Sequence, residues 1–204
     1  MTVTAIVLAA GLSTRMGKNK LLLPWHGKTI IQCVVEQLIS SGIDNILLIT
    51  GRDRERVEKE TALPEVRHEF NALFEDGEML HSLQCGIRAT PEECESVLIV
   101  LGDQPQLEQS VIREILKYHE IYPDFPLIVP SYQMHKGHPW LVKKVLWRSI
   151  MDLTPPQNLK TFLDQHKREI KYVAVKSPSI LTDLDTPEEY RNALQKSKDD
   201  DEPG

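Results

Sequence analysis

The stretch Thr4–Trp25, TAIVLAAGLSTRMGKNKLLLPW, joins an apolar strand to a turn of small residues and then to three cations, Arg15, Lys18 and Lys20. Ala5–Leu8 suit a buried strand. Ala9, Ala10 and Gly11 carry too little side chain to hold a ligand off the backbone. Peptide N–H groups at such a turn, followed by cations within about ten residues, form a cradle for phosphate oxygens. The segment therefore reads as a triphosphate site at the carboxyl end of a strand.

Outward from it, the chain alternates between the two-residue period of strands and the 3.6-residue period of helices, which points to a parallel sheet flanked by helices. Thr29–Ser41 reads as a helix with Ile30, Val34 and Leu38 inward, stopped by Gly42. Asn45–Thr50 reads as a strand, Arg52–Glu60 as a charged helix, Val66–Phe70 as a short strand and Met79–Arg88 as a helix. Val97–Leu101 is an unbroken apolar run, as expected of a central strand covered on both faces. Gly102-Asp103-Gln104-Pro105 lies just beyond its carboxyl end. The spacing then predicts a helix over Ser110–Glu120 and a strand over Leu127–Pro130. A hairpin follows around Met134–Pro139 across the site, with Leu141 and Val142 returning as strand. Lys143–Leu153 and Leu159–His166 read as helices parted by Pro155 and Pro156, Ile170–Val175 as a strand and Thr186–Leu194 as a closing helix.

The 204 residues and 41% apolar content suffice for one domain with a sizeable core. No run approaches the ~18 apolar residues of a membrane span, and Met1–Val3 leads into a strand without a signal-like segment, so a cytoplasmic location is expected. A formal charge of −6 argues against a nucleic-acid surface. Part of that charge lies in the tail Lys196–Gly204, KSKDDDEPG, which has no apolar residue to offset its ordering entropy and is expected to be disordered. Cys33, Cys85 and Cys94 are widely spaced, without a CxxC pair, and read as reduced thiols rather than as a disulfide framework or zinc site.

Two phosphate motifs are excluded. A Walker loop needs four residues between its first Gly and the Gly-Lys-Ser/Thr ending; Gly11 and Gly17 have five between them, and Asn19 stands where the metal-binding hydroxyl belongs. The GxGxxG dinucleotide fingerprint is absent as well. The remaining pattern, Leu8-Ala9-Ala10-Gly11-x-Ser13-x-Arg15-Met16-Gly17-x-x-Lys20-Leu21-Leu22-Leu23-Pro24, resembles the signature of the MobA-like nucleotidyltransferases, especially the molybdenum cofactor cytidylyltransferases. Leu101-Gly102-Asp103-Gln104-Pro105, Gly137-His138-Pro139 and Asp183-Leu184-Asp185-Thr186-Pro187-Glu188 follow at suitable intervals. The resemblance covers roughly Val3–Leu194 and includes accessory proteins of xanthine dehydrogenase in purine catabolism.

This resemblance implies a single α/β domain over residues 1–195. Its expected form is a Rossmann-like three-layer sandwich with a mostly parallel central sheet, of the nucleotide-diphospho-sugar transferase type. It implies Mg²⁺-dependent transfer of CMP from CTP to the terminal phosphate of a molybdopterin-type acceptor, with pyrophosphate leaving and transient contact with a molybdoenzyme. Leu8, Ala9, Ala10, Gly11, Asn71, Ser82 and Gly102 are then expected at the nucleotide, Arg15 and Lys20 on phosphate oxygens, and Lys18 nearby. Arg15, Lys20 and Asp103 form the expected catalytic set. Asp103 and Asp185 are the expected metal ligands, with Asp183 as second choice; Gly137 and His138 are expected at the acceptor.

Several residues also have plainer readings. The cations can be ordinary surface charges, Asp103 a turn residue before Pro105, and His138 a structural histidine. Asp-Thr-Pro-Glu-Glu reads equally as a helix start with Thr186 as N-cap, Pro187 at N1 and Glu189 at N3. Ala10 favours the cytidylyl branch, since the guanylyl branch resembles Leu-Ala-Gly-Gly. The Asn71–His81 region departs from the family: Ala72 and Phe74 replace a usual Pro and Trp, and Met79, Leu80 and His81 replace smaller residues. Other phosphorylated acceptors, such as sugar phosphates, and a non-catalytic cofactor-delivery factor are the alternatives.

Overall fold

The apolar runs pair into an eight-stranded sheet in the computed structural model, which describes residues 2–13, 16–76 and 79–201, without the side chains of 198–201. In chain order the elements begin with β1 (Val3–Ala9), β2 (Pro24–Trp25), β3 (Lys28–Thr29), α1 (Ile30–Ser40), β4 (Ile46–Thr50), α2 (Arg54–Glu60) and β5 (Val66–Phe70). Next come α3 (Met79–Ala89), β6 (Ser96–Leu101), α4 (Gln109–Ile121), β7 (Leu127–Tyr132), β8 (His135–Lys136) and β9 (Trp140–Lys143). α5 (Trp147–Met151), α6 (Leu159–Gln165), β10 (Ile170–Ala174) and α7 (Pro187–Asp201) complete the chain.

The main sheet has the order β10-β7-β9-β6-β1-β4-β5, with β8 added beside β7. The β1–β4, β1–β6, β4–β5 and β7–β10 pairs are parallel, whereas β9 runs antiparallel between β6 and β7. This is the mostly parallel α/β fold expected from the alternating periods. Strand alternation sends Ala5, Val7, Ala9, Leu98 and Val100 into one core layer with α1 and α4. Ile6, Ala10, Val97 and Ile99 enter a second layer with α3, α5 and α6. Both faces are thus sealed, the physical reason for the unbroken apolar runs.

Helix starts follow local chemistry. Thr29 caps α1 in a capping box, its side chain accepting from Gln32 N while the Gln32 side chain accepts from Thr29 N. Gly42, at φ +90°, ends that helix in a backbone conformation costly for other residues. α3 comes close enough to the sheet that a Cβ on Gly86 would lie 2.6 Å from Ile6 Cγ2 and 3.3 Å from Ile49 Cδ1. Gly86→Val is accordingly expected to destabilise the fold by about 2 kcal/mol or more. A urea midpoint equal to that of the wild type would contradict this packing.

Two helix expectations change, and one pair of strands was not read from the sequence. The helix read over Lys143–Leu153 shortens to a 3₁₀ turn at Lys144–Leu146 followed by α5, because Lys143 is held in β9 opposite Ser96. The small β2–β3 hairpin, two residues a strand, is too short to leave a periodic signal. α7 continues past Leu194 to Asp201, into the segment expected to be disordered. Helix already started by its N-cap extends at one backbone bond per residue, and Ser197 Oγ lies 2.8 Å from His26 Nε2. Residues 202–204 fall outside the described residues.

Candidate nucleotide site

Strand register brings the two motif-bearing turns together. Leu8 of β1 lies opposite Leu101 of β6, and Gly102 N donates to Leu8 O at 3.1 Å. A Cβ on Gly102 would sit 3.0 Å from Leu8 O, so the close approach of these turns needs glycine. Their common carboxyl edge borders a cavity of about 420 Å³ lined by Leu8–Ser13, Lys20, Ser82, Asp103, Asp183 and Asp185, with Leu21, Leu101, Phe74 and Met79 supplying apolar wall. Ligands of open α/β sheets bind outside the carboxyl ends of the strands, as this cavity does.

Lys20 is the centre of the site. It opens a 3₁₀ turn, Lys20–Leu22, capped by Asn19, whose Oδ1 accepts from Leu21 N at 3.0 Å. Its ammonium donates to Asp103 Oδ2 and, at 2.8 Å, to Asp185 Oδ1. The Lys20 and Asp103 side chains are 13% and 15% exposed, so the contact is largely screened from water. Burial is the strongest single influence on this amine and opposes its charge. The charges of Asp103 and Asp185 and their hydrogen bonds outweigh it, holding Lys20 above its ordinary value.

Asp185 reaches the site while its backbone starts α7. Glu189 Oε2 accepts from Asp185 N at 3.0 Å and Thr186 N at 2.8 Å, and Thr186 Oγ1 accepts from Glu189 N at 3.2 Å. The capping box read from the sequence is therefore formed, and it leaves the Asp185 carboxylate for Lys20. Asp183 stands beside them, accepting from Gln104 Nε2 at 2.9 Å. Burial, then the nearby Asp103 charge, push the Asp183 carboxyl up, against the opposing Gln104 bond and Lys20 charge. Among the described residues no cage of three or more His, Cys, Asp or Glu side chains is arranged for a metal.

Of the other expected nucleotide residues, Leu8, Ala9, Ala10, Gly11 and Ser82 line the cavity, whereas Asn71 and Gly102 shape it from behind. Asn71 is buried; its Nδ2 donates to Ser82 Oγ at 3.1 Å and its Oδ1 accepts from Leu73 N at 3.0 Å. Lys18 is exposed and outside the lining. Arg15 lies outside the described residues. Ser13, Phe74 and Met79 enter the lining without having been singled out as site residues. Ser13 also accepts from Lys20 N at 3.3 Å, which its place in the signature could have suggested.

Gly137 and His138 are not brought to the cavity. Gly137 packs against the Ile180 carbonyl where a Cβ would collide, and His138 N donates to Ile180 O at 3.2 Å. The His138 ring stacks on Trp140, with centroids 4.3 Å apart. Desolvation lowers its pKa to about 4, from an ordinary 6.5. It is neutral in the fold, so stability is unaffected above pH 6.5, falls as the unfolded chain protonates below it, and levels off near pH 4. His138→Gln is expected to flatten that part of the urea-midpoint profile. An unchanged slope between those limits would place the proton uptake elsewhere.

The sequence matches the MobA-like NTP transferase domain over residues 5–170. The chain belongs to this family. Its match extends to the Escherichia coli K12 molybdenum cofactor cytidylyltransferase, 27% identical over 198 residues, covering 95% of this chain and 96% of that protein. The family match makes the protein a nucleotidyltransferase. Among solved structures, Mycobacterium tuberculosis H37Rv Rv0371c shares the fold at 23% identity and a TM-score of 0.84, over 96% of this chain and 98% of the other. A manganese complex of Rv0371c aligns with a TM-score of 0.78 at 22% identity, covering 96% and 99% of the two chains.

Proposed function

We propose that the protein transfers CMP from CTP to the terminal phosphate of a molybdopterin-type acceptor, releasing pyrophosphate with Mg²⁺ as its metal. The observation that carries this reading is the Lys20 ammonium gripped by Asp103 and Asp185 at the rim of the Ala9–Gly11 turn. Lys20 exchanges these carboxylates for phosphate oxygens when the triphosphate enters. Asp103 and Asp185 offer the hard oxygen donors that Mg²⁺ prefers, and they already hold one cation, so they fit the ion. Bound there, Mg²⁺ supplies charge neutralisation to the triphosphate.

This chain's residues orient the reaction. Ala9, Ala10 and Gly11 let the nucleotide approach the backbone; among the described residues, nothing beyond its chain neighbours lies within 4 Å of a Cβ placed on Gly11. Lys20, with Arg15 from the same loop, draws charge from the α-phosphate and the leaving pyrophosphate. The acceptor phosphate is anionic at neutral pH, so its oxygen attacks the α-phosphorus without a dedicated base as the bond to the pyrophosphate oxygen breaks. The Leu-Ala-Ala-Gly turn and the Escherichia coli relative support CTP and the pterin acceptor. In this reading the protein works in the cytoplasm and its product serves a molybdenum hydroxylase such as xanthine dehydrogenase. Phe74 and Met79, where the chain departs from its family, also line the cavity and favour a second reading, another phosphorylated acceptor such as a sugar phosphate.

The test supplies CTP, GTP, UTP or ATP with Mg²⁺ and either molybdopterin or a sugar 1-phosphate as acceptor, and follows pyrophosphate. Release is expected with CTP. Release with GTP alone would reject the cytidylyl assignment, and release only with a sugar phosphate would replace the acceptor.

A further inference from the structure

The turn that carries Lys20 must hold its ammonium steady over a charged ligand, yet Asn19 and Lys20 belong to no long helix or strand. One of its anchors comes from a different crossover of the sheet. Asn19 uses both ends of its amide: Oδ1 caps the Lys20–Leu22 turn, and Nδ2 donates to Asp53 Oδ2 at 3.0 Å. Asp53 stands at the N-cap of α2, where an Asp ordinarily bonds the helix's first amides, but it makes no side-chain cap there. Its carboxylate is turned to the loop instead. The same turn supports the phosphate cradle from below, since a Cβ on Gly51 would lie 2.8 Å from Ala10 O. Gly51 and Asp53 thus brace the two halves of the nucleotide site, the Ala9–Gly11 turn and Lys20.

We propose that Asp53 is a positioning residue for nucleotide binding, fixing Lys20 through Asn19 without touching the nucleotide. The strut works because an amide with both its oxygen and its nitrogen bonded has one orientation, and the residue after it then leaves the turn in one direction. Loss of the Asp53 acceptor frees the Asn19 amide, and Lys20 must be ordered by the nucleotide itself at a cost to affinity. The inference rests on Lys20 being the triphosphate contact.

The experiment measures equilibrium binding of CTP with Mg²⁺, and of GTP, UTP and ATP for the wild type, together with the thermal midpoint of every variant. Asp53→Ala is expected to weaken CTP binding about 10- to 100-fold, within the range of a hydrogen bond to a charged group, with Tm lowered by no more than about 6 °C. Asp53→Asn keeps an oxygen for Asn19 and should bind within about twofold of wild type. Asn19→Asp sets two carboxylates face to face and should bind weakly, whereas Asn19→Asp with Asp53→Asn exchanges the partners and should restore affinity. The swap also serves if Asp53→Ala fails to fold. Equal CTP binding by wild type and Asp53→Ala overturns the strut. So does a swapped double variant no better than Asn19→Asp. A wild type that binds none of the four nucleotides removes the nucleotide reading of the site and the strut with it; the first two outcomes leave that reading standing.

Discussion

Replacing Asp103 with Asn is expected to lower turnover by at least ~10²-fold while the fold persists, the loss typical of removing one major electrostatic contributor. Asp103 follows the central strand β6, whose apolar residues are buried between both core layers, so its backbone position does not depend on its carboxylate. The amide keeps the shape and one oxygen acceptor but removes the charge that pairs with Lys20 and suits a divalent cation. Initial rates of pyrophosphate release across a Mg²⁺ titration, with circular dichroism of both proteins, check this. Turnover within about threefold of wild type would remove Asp103 from the catalytic set.

Lys20→Met should cost ~10²- to 10³-fold in turnover, because phosphate charge then loses a cation in a cavity partly screened from water. Its effect on stability has a distinct signature. Without the ammonium, Asp103 and Asp185, which now approach the same atom, lose the cation they share. The partly exposed setting of Asp185, 33% accessible, limits the penalty to about 1–3 kcal/mol. Mg²⁺ or Mn²⁺ should therefore raise the Tm of Lys20→Met more than that of the wild type. On the alkaline side the stabilisation from Lys20 is complete below its ordinary value of 10.5 and is lost as pH climbs through the higher value of the buried amine, so there the two proteins should converge in strong alkali. Identical Tm values at neutral pH, with no differential response to either ion, would show that the three-residue contact contributes nothing to the folded state.

Much of the architecture was readable because it repeats locally. The β5 bounds Val66–Phe70 and the α3 start at Met79 follow from apolar periodicity, and the capping box at Thr186 follows from four consecutive side-chain types. α7 outran its expected end because composition measures the cost of ordering a tail but not the helix already formed ahead of it. Asn71 was expected at the nucleotide; nothing in the sequence signalled that its buried amide also holds the Ser82 hydroxyl, because a buried amide bonds the groups nearest it. Asp53 carried no site signal: it fell within the stretch Arg52–Glu60 read as a charged helix, and only the structure shows its carboxylate bonded to Asn19.

By itself the sequence determined the alternating α/β plan, the small-residue turn with its cations and the family, because strand burial and phosphate binding each demand particular residue types at fixed spacings. Only the tertiary structure decided which distant side chains meet. Parallel pairing of β1 with β6 sets Lys20 against Asp103 across 83 positions, and the start of α7 returns Asp185 to the same ammonium across 165. It also set Gly137 and His138 behind Ile180 rather than in the cavity. Periodicity records which face of an element is buried; charge pairing across a sheet depends on the register and crossing of elements, which no local pattern carries.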